Sequence, residues 1–362
     1  MTSTISPSTT KARPSRRMWF AIGAIGCGLL LPLVALLALD VHVHHKFERG
    51  VLFNVWGYRG PVVGRKQPGE YRTAVLGGSA AFGFGVKWDE SMPALLEQKL
   101  AGPQTPVRVV NLAYNGESAY SFPITMDDYA YLNYDMVLIY EGYNDLFGDP
   151  AAPRQAVFRH ESPIFRLTGY LPVFPIVARE KASVMVYGDT RAVYEQAHKT
   201  NTVFTPDLAT RTTAEMLKSA ASVGESLERQ LGRVMSNPAP AAALRADGSG
   251  CSGTWAAYCQ LMFAAVTKAR VQHKQVLVVT QPYLLGEKVR AAHQAQQREM
   301  ADMLARKFGS DADVQYVNLG ETVDISDPAL SFDRMHLTEL GNERIAAALV
   351  EPVRRMAGRT AN

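Results

Sequence analysis

The sequence predicts a three-layer α/β/α domain with about five parallel strands, preceded by one N-terminal membrane helix. Two patterns carry this prediction. Five short, nearly continuous apolar runs alternate with helical patterns, as in strands buried on both faces of a parallel sheet. Ahead of them, a basic tail runs into an uncharged apolar segment long enough to span a bilayer.

The tail, residues 1–17, contains Lys11, Arg13, Arg16 and Arg17 and no Asp or Glu. The whole chain has 38 basic and 34 acidic residues; without those four the remainder is balanced at 34 each. The charge therefore points to membrane topology, and no clustered basic face suggests a nucleic-acid partner. Met18–Leu39 is uncharged and rich in Leu, Ala, Val and Ile. The positive-inside rule places the tail in the cytoplasm and everything after Asp40 outside it. A cleaved signal peptide shares this charge order. Its apolar core is usually about 7–15 residues and ends in a small-x-small site, which Ala35-Leu36-Leu37-Ala38 does not supply. The expected organisation is a transmembrane anchor at 18–40, a juxtamembrane linker at 41–70, and a folded domain at 71–362. His42, His44 and His45 in the linker could bind a metal, but they read as part of an amphipathic juxtamembrane segment.

The strand-like runs are Tyr71–Leu76, Val107–Leu112, Met136–Glu141, Val276–Thr280 and Val314–Leu319, with helical patterns at Pro93–Leu100 and Lys288–Phe308. An insertion at about 150–250 interrupts the rhythm. Within it, Ile164–Val177 is broken by Pro172 and Pro175 and reads as a loop packed on the core. Thr212-Thr213-Ala214-Glu215 reads as a capping box opening a helix with Met216, Ala220, Val223, Leu227, Leu231 and Val234 at helical spacing. Thr254–Val271 reads as the helix leading back to the fourth strand. Cys251 and Cys259 are too far apart on a single helix to bond, about 12 Å, so a disulfide requires a turn at Gly248-Ser249-Gly250.

Four blocks carry chemistry, three of them directly after strands, where open α/β sheets place their sites. Leu76-Gly77-Gly78-Ser79 presents a serine from a glycine turn. Asn111-Leu112-Ala113-Tyr114-Asn115-Gly116 supplies a glycine whose backbone N–H can turn to a ligand, and Glu141-Gly142-Tyr143-Asn144-Asp145 supplies an amide donor. Asp333-Arg334-Met335-His336 lets a carboxylate hold the imidazole while its other nitrogen takes the serine proton.

Ser, Gly, Asn and a C-terminal Asp-x-x-His in this order resemble the SGNH (GDSL-like) hydrolase family, over Tyr71–Val353. The resemblance implies a flavodoxin-like sheet, Ser79 as nucleophile, His336 as base and Asp333 as its orienter. It also implies an oxyanion hole formed by the Ser79 and Gly116 N–H groups and the Asn144 amide, with no metal or organic cofactor. Gly78 stands where the family usually has Asp. The implied activity is ester hydrolysis through an acyl-enzyme, on an ester-bearing small molecule, lipid or glycan outside the cytoplasm. O-acyl transfer to a polysaccharide and a non-catalytic surface protein are the alternatives.

Overall fold

The computed structural model describes residues 16–48, 50, 52–102, 106–146, 159–187, 207–234 and 248–359. Its centre is a five-stranded, all-parallel sheet in the order β2-β1-β3-β4-β5. The strands are β1 Tyr71–Gly77, β2 Val107–Asn111, β3 Met136–Glu141, β4 Gln275–Thr280 and β5 Val314–Val317. Each coincides with an apolar run, and β1, β3 and β4 are buried along their whole lengths. Helices Met92–Leu100, Ala256–Val271, Glu287–Phe308 and Glu339–Arg359 flank the sheet. The chain adds β2 on one side of β1 and β3 on the other, so the carboxyl ends of these strands open at the topological switch point. In register, Gly77 stands beside Tyr140, which brings Ser79 and Asn144 to one edge.

The N-terminal helix runs from Arg16 to Phe47. The expected anchor, 18–40, falls largely on side chains outside the described residues, as does the tail at 1–15. Among the described residues, no helix is long and apolar enough to cross a membrane.

The stretch 41–70, expected as a linker, packs into the domain. Leu52, Phe53 and Tyr58 are buried in the core, and Arg59 is buried with its guanidinium donating to the carbonyls of Phe82, Gly83 and Val86. The helix end is also seated. Asp40 accepts the Val173 N–H at 2.9 Å, and the two ring nitrogens of His44 face the carbonyls of Leu171 and Phe53 at 2.8 and 3.2 Å. His44 is thus a buried docking residue, whereas His42 is exposed.

In the insertion, Ile164–Val177 rests on the core through Phe165, Leu171 and Val173, but it is largely helical where a loop was expected. Pro163 and Pro175 sit in the first turns of helices Pro163–Thr168 and Phe174–Tyr187, where a missing N–H costs nothing. The next helix begins at Leu208, not at Thr212. Asp207 accepts the Thr210 N–H at 2.7 Å and so takes the capping role, leaving Thr212 to bond back to the Leu208 carbonyl. This helix packs through Ala214, Ala221 and Gly224, whose small size admits Pro175, while Met216, Val223 and Leu231 face outward. The part of the insertion between 234 and 248 lies outside the described residues. The stretch past the turn at Gly248 brings Cys251 to Cys259 in a disulfide with Cα atoms 5.9 Å apart.

Candidate active site

The strand β1 ends in Gly77, with φ +154°, where a Cβ would stand 2.3 Å from the Tyr140 carbonyl oxygen. Only glycine allows the chain to turn this tightly against β3. Ser79 then opens the single helical turn Ser79–Phe82, with its hydroxyl facing the C-terminal loop. There the His336 Nε2 lies 2.7 Å from Ser79 Oγ, and His336 Nδ1 lies 2.6 Å from Asp333 Oδ2. The other Asp333 oxygen accepts the backbone N–H groups of Met335 and His336, at 3.0 and 2.7 Å. Arg334 takes a left-handed φ of +67° to close this loop. Partial burial by itself would raise the Asp333 carboxyl. The hydrogen bonds from the His336 ring and backbone and from Met335 outweigh it and hold the group below the usual aspartate range. Asp333 is therefore suited to stay anionic and hold the imidazole with Nδ1 protonated and Nε2 turned to the serine.

The Gly116 and Asn144 loops meet beside Gly78. Asn144 Nδ2 donates to the Glu117 carbonyl at 2.6 Å, which occupies one of its two N–H groups and leaves the second to point elsewhere. Gly116 has φ +77° and precedes Glu117 directly. Among the described residues, no group accepts from the backbone N–H of Ser79 or of Gly116. Backbone and amide donors of this kind can hold a developing oxyanion. The five residues expected at the site are thus at or beside one another on three strand ends and the C-terminal loop.

The departure at position 78 has a steric reason. A Cβ on Gly78 would lie 1.9 Å from Asn144 Nδ2 and 3.0 Å from the Glu117 carbonyl oxygen. In this chain the Asn144 amide occupies the space that a side chain at 78 would need.

Three further residues support the site without being part of the relay or the oxyanion donors. Glu141, at the end of β3, accepts the Gly78 N–H at 3.0 Å and the Asn144 N–H at 3.3 Å, bracketing the first and third loops. Burial, then the neighbouring Asp145 carboxylate, pushes Glu141 well above the glutamate range despite these bonds. Glu117 is fully buried and accepts the Thr125 hydroxyl at 2.6 Å. Burial raises its carboxyl, with Arg159 opposing the shift from 3.8 Å. Arg159, also fully buried, donates to the carbonyls of Leu112 and Gly57 and stacks over Tyr114 and Tyr129. It pins the Gly116 loop from behind. A strand-end acid such as Glu141 is at least visible in its motif, but nothing around Arg159 in the sequence marks it. Among the described residues, no cluster of three or more His, Cys, Asp or Glu side chains could hold a metal ion.

The contact at position 78 is directly testable. Gly78→Ala is expected to keep the fold while displacing the Asn144 amide, lowering kcat about 100-fold with a smaller change in KM, the scale of losing one oxyanion donor. Steady-state ester hydrolysis and circular dichroism check this; a variant with full kcat would show that Asn144 is not held by that contact.

No curated protein matches the sequence. Among solved structures, a lipolytic protein of the G-D-S-L family from Desulfitobacterium hafniense is 12% identical, with a TM-score of 0.39, covering 77% of this chain and 98% of its own. An acetylxylan esterase from Geobacillus stearothermophilus is 13% identical, with a TM-score of 0.40, covering 80% and 94%. The aryl esterase of M. smegmatis is 14% identical, with a TM-score of 0.36, covering 79% and 99%. Residues 75–344, which contain Ser79, Gly116, Asn144, Asp333 and His336, match the model of one family, so the chain belongs to the GDSL-like Lipase/Acylhydrolase family and is an ester-hydrolysing enzyme.

Proposed function

We propose that this chain is a serine ester hydrolase that works outside the cytoplasm, held there by its N-terminal helix, and deacylates O-acylated glycans. The observation that carries the chemistry is the unbroken hydrogen-bond relay Ser79–His336–Asp333, at 2.7 and 2.6 Å. His336 takes the Ser79 proton as the oxygen attacks the ester carbonyl, and Asp333 stabilises the imidazolium. The Ser79 and Gly116 N–H groups and the Asn144 amide receive the oxyanion. Collapse expels the alcohol, protonated by His336, and leaves an acyl group on Ser79. Water activated by the same imidazole then releases the acid.

The location rests on two features. The tail Lys11, Arg13, Arg16 and Arg17 precedes an apolar segment, the charge order that puts the remainder of a chain outside the cytoplasm. The Cys251–Cys259 disulfide is of a kind that persists in oxidising compartments. The glycan is inferred from that location, since acylated polysaccharides are available substrates on the outer side of a membrane.

On a soluble acetyl ester, Ser79→Ala and His336→Ala are each expected to lower kcat by at least about 1,000-fold. Asn144→Ala should cost about 100-fold or more. Full turnover by Ser79→Ala would remove the nucleophile assignment. For the location, thiols are alkylated in intact cells before lysis and the chain is mapped by mass spectrometry. Cys251 and Cys259 should be protected as a disulfide; both carrying the alkyl tag would contradict an oxidising compartment.

A further inference from the structure

Two aromatic rings flank the imidazole of His336, and the relay itself does not use them. Phe84, just past the helical turn Ser79–Phe82, lies 4.8 Å from the His336 ring, centroid to centroid, tilted by 49°. Phe332, the residue before Asp333, lies 6.0 Å away and nearly parallel, at 16°. The two come from different loops and meet only in the fold.

Phe332 is 40% exposed. Gly85, with φ +87°, passes beneath it so closely that a Cβ there would stand 2.3 Å from the ring's Cζ. The Phe332 backbone N–H donates to the His336 carbonyl at 3.3 Å. A part-exposed aromatic ring packed on backbone next to a reacting group offers apolar surface to a bound substrate.

The chemistry identifies which half of the ester this ring meets. His336 must give its proton to the departing alcohol oxygen, so the space beside the imidazole receives the alcohol. An aromatic face carries negative quadrupole density and packs against flat, C–H-rich groups. A half-exposed ring suits one face of a sugar ring, with the hydroxyls left in water; an alkyl chain gains most from enclosure on all sides.

We propose that Phe332, beside His336 and against Gly85, is the subsite that binds a sugar ring of the alcohol half of the ester. This rests on the serine hydrolase reading above and names its leaving group.

The test uses the full-length chain with two pairs of substrates. Glucose pentaacetate and ethyl acetate share the acyl group and differ in alcohol; p-nitrophenyl acetate and octanoate share the alcohol and differ in acyl chain. Phe332→Ala should lower kcat/KM about tenfold more on glucose pentaacetate than on ethyl acetate, mainly through KM, the scale of one aromatic contact. Phe332→Trp should restore most of the loss. The octanoate-to-acetate ratio should move much less. Equal losses on both alcohols, a Trp variant as poor as the Ala variant, or a change that tracks acyl length would each overturn the subsite. A wild-type chain that hydrolyses none of the four esters would instead overturn the serine hydrolase reading, and the subsite with it.

Discussion

The close approach of two strand ends governs the architecture of this site. Gly78 and the Asn144 amide share one tight space: a Cβ at position 78 would lie 1.9 Å from Asn144 Nδ2 and would displace it. That contact requires β1 and β3 to be adjacent, which the sheet order supplies, and it requires Gly77 to turn against Tyr140. Glu141 closes the bracket by accepting from Gly78 and Asn144 together. The Glu117 carbonyl then draws the Gly116 loop to the same point. Three loops from three strands are thereby held in one arrangement before any substrate arrives, and preorganised donors are what make an oxyanion hole effective.

Environment assigns the carboxyls to different tasks. Asp333 is half-buried and held low by donors from His336 and Met335, which suits it to remain charged beside an imidazole that must become cationic. Glu141 is fully buried, and its burial and the neighbouring Asp145 push its carboxyl well above the glutamate range, while its two oxygens bracket the loops by accepting from Gly78 and Asn144. Glu117 is also raised by burial, but it has a partner in Arg159. Removing one member of such a buried pair leaves the other uncompensated, which typically costs about 3–5 kcal/mol. Arg159 belongs to the insertion and bonds to Gly57 in the N-terminal stretch, so two regions outside the sheet meet behind the site.

Much of this was legible in the sequence because parallel-sheet strands are apolar on both faces and their ends are marked by glycine turns. All five runs became strands, with boundaries moved by one or two residues at several ends and shorter at Val314–Val317. The four polar blocks were legible for the same reason, each lying after a strand or in one C-terminal loop. The packing of 41–70 was not, because Leu52, Phe53 and Tyr58 show no regular period there. Nor was the outward face of the helix Leu208–Val234, where small residues, rather than large apolar ones, make the contact. Arg159 was invisible for a different reason: its partners are carbonyl oxygens and rings drawn from distant segments, and only burial reveals it.

The central claim is that Ser79 is an activated nucleophile. The most direct measurement is reaction of the full-length folded chain with a fluorophosphonate, and then mass spectrometry of its peptides. The account requires an adduct on Ser79 that is lost in His336→Ala. A folded wild-type chain that takes up no label at Ser79, or takes it up equally well without His336, would contradict it.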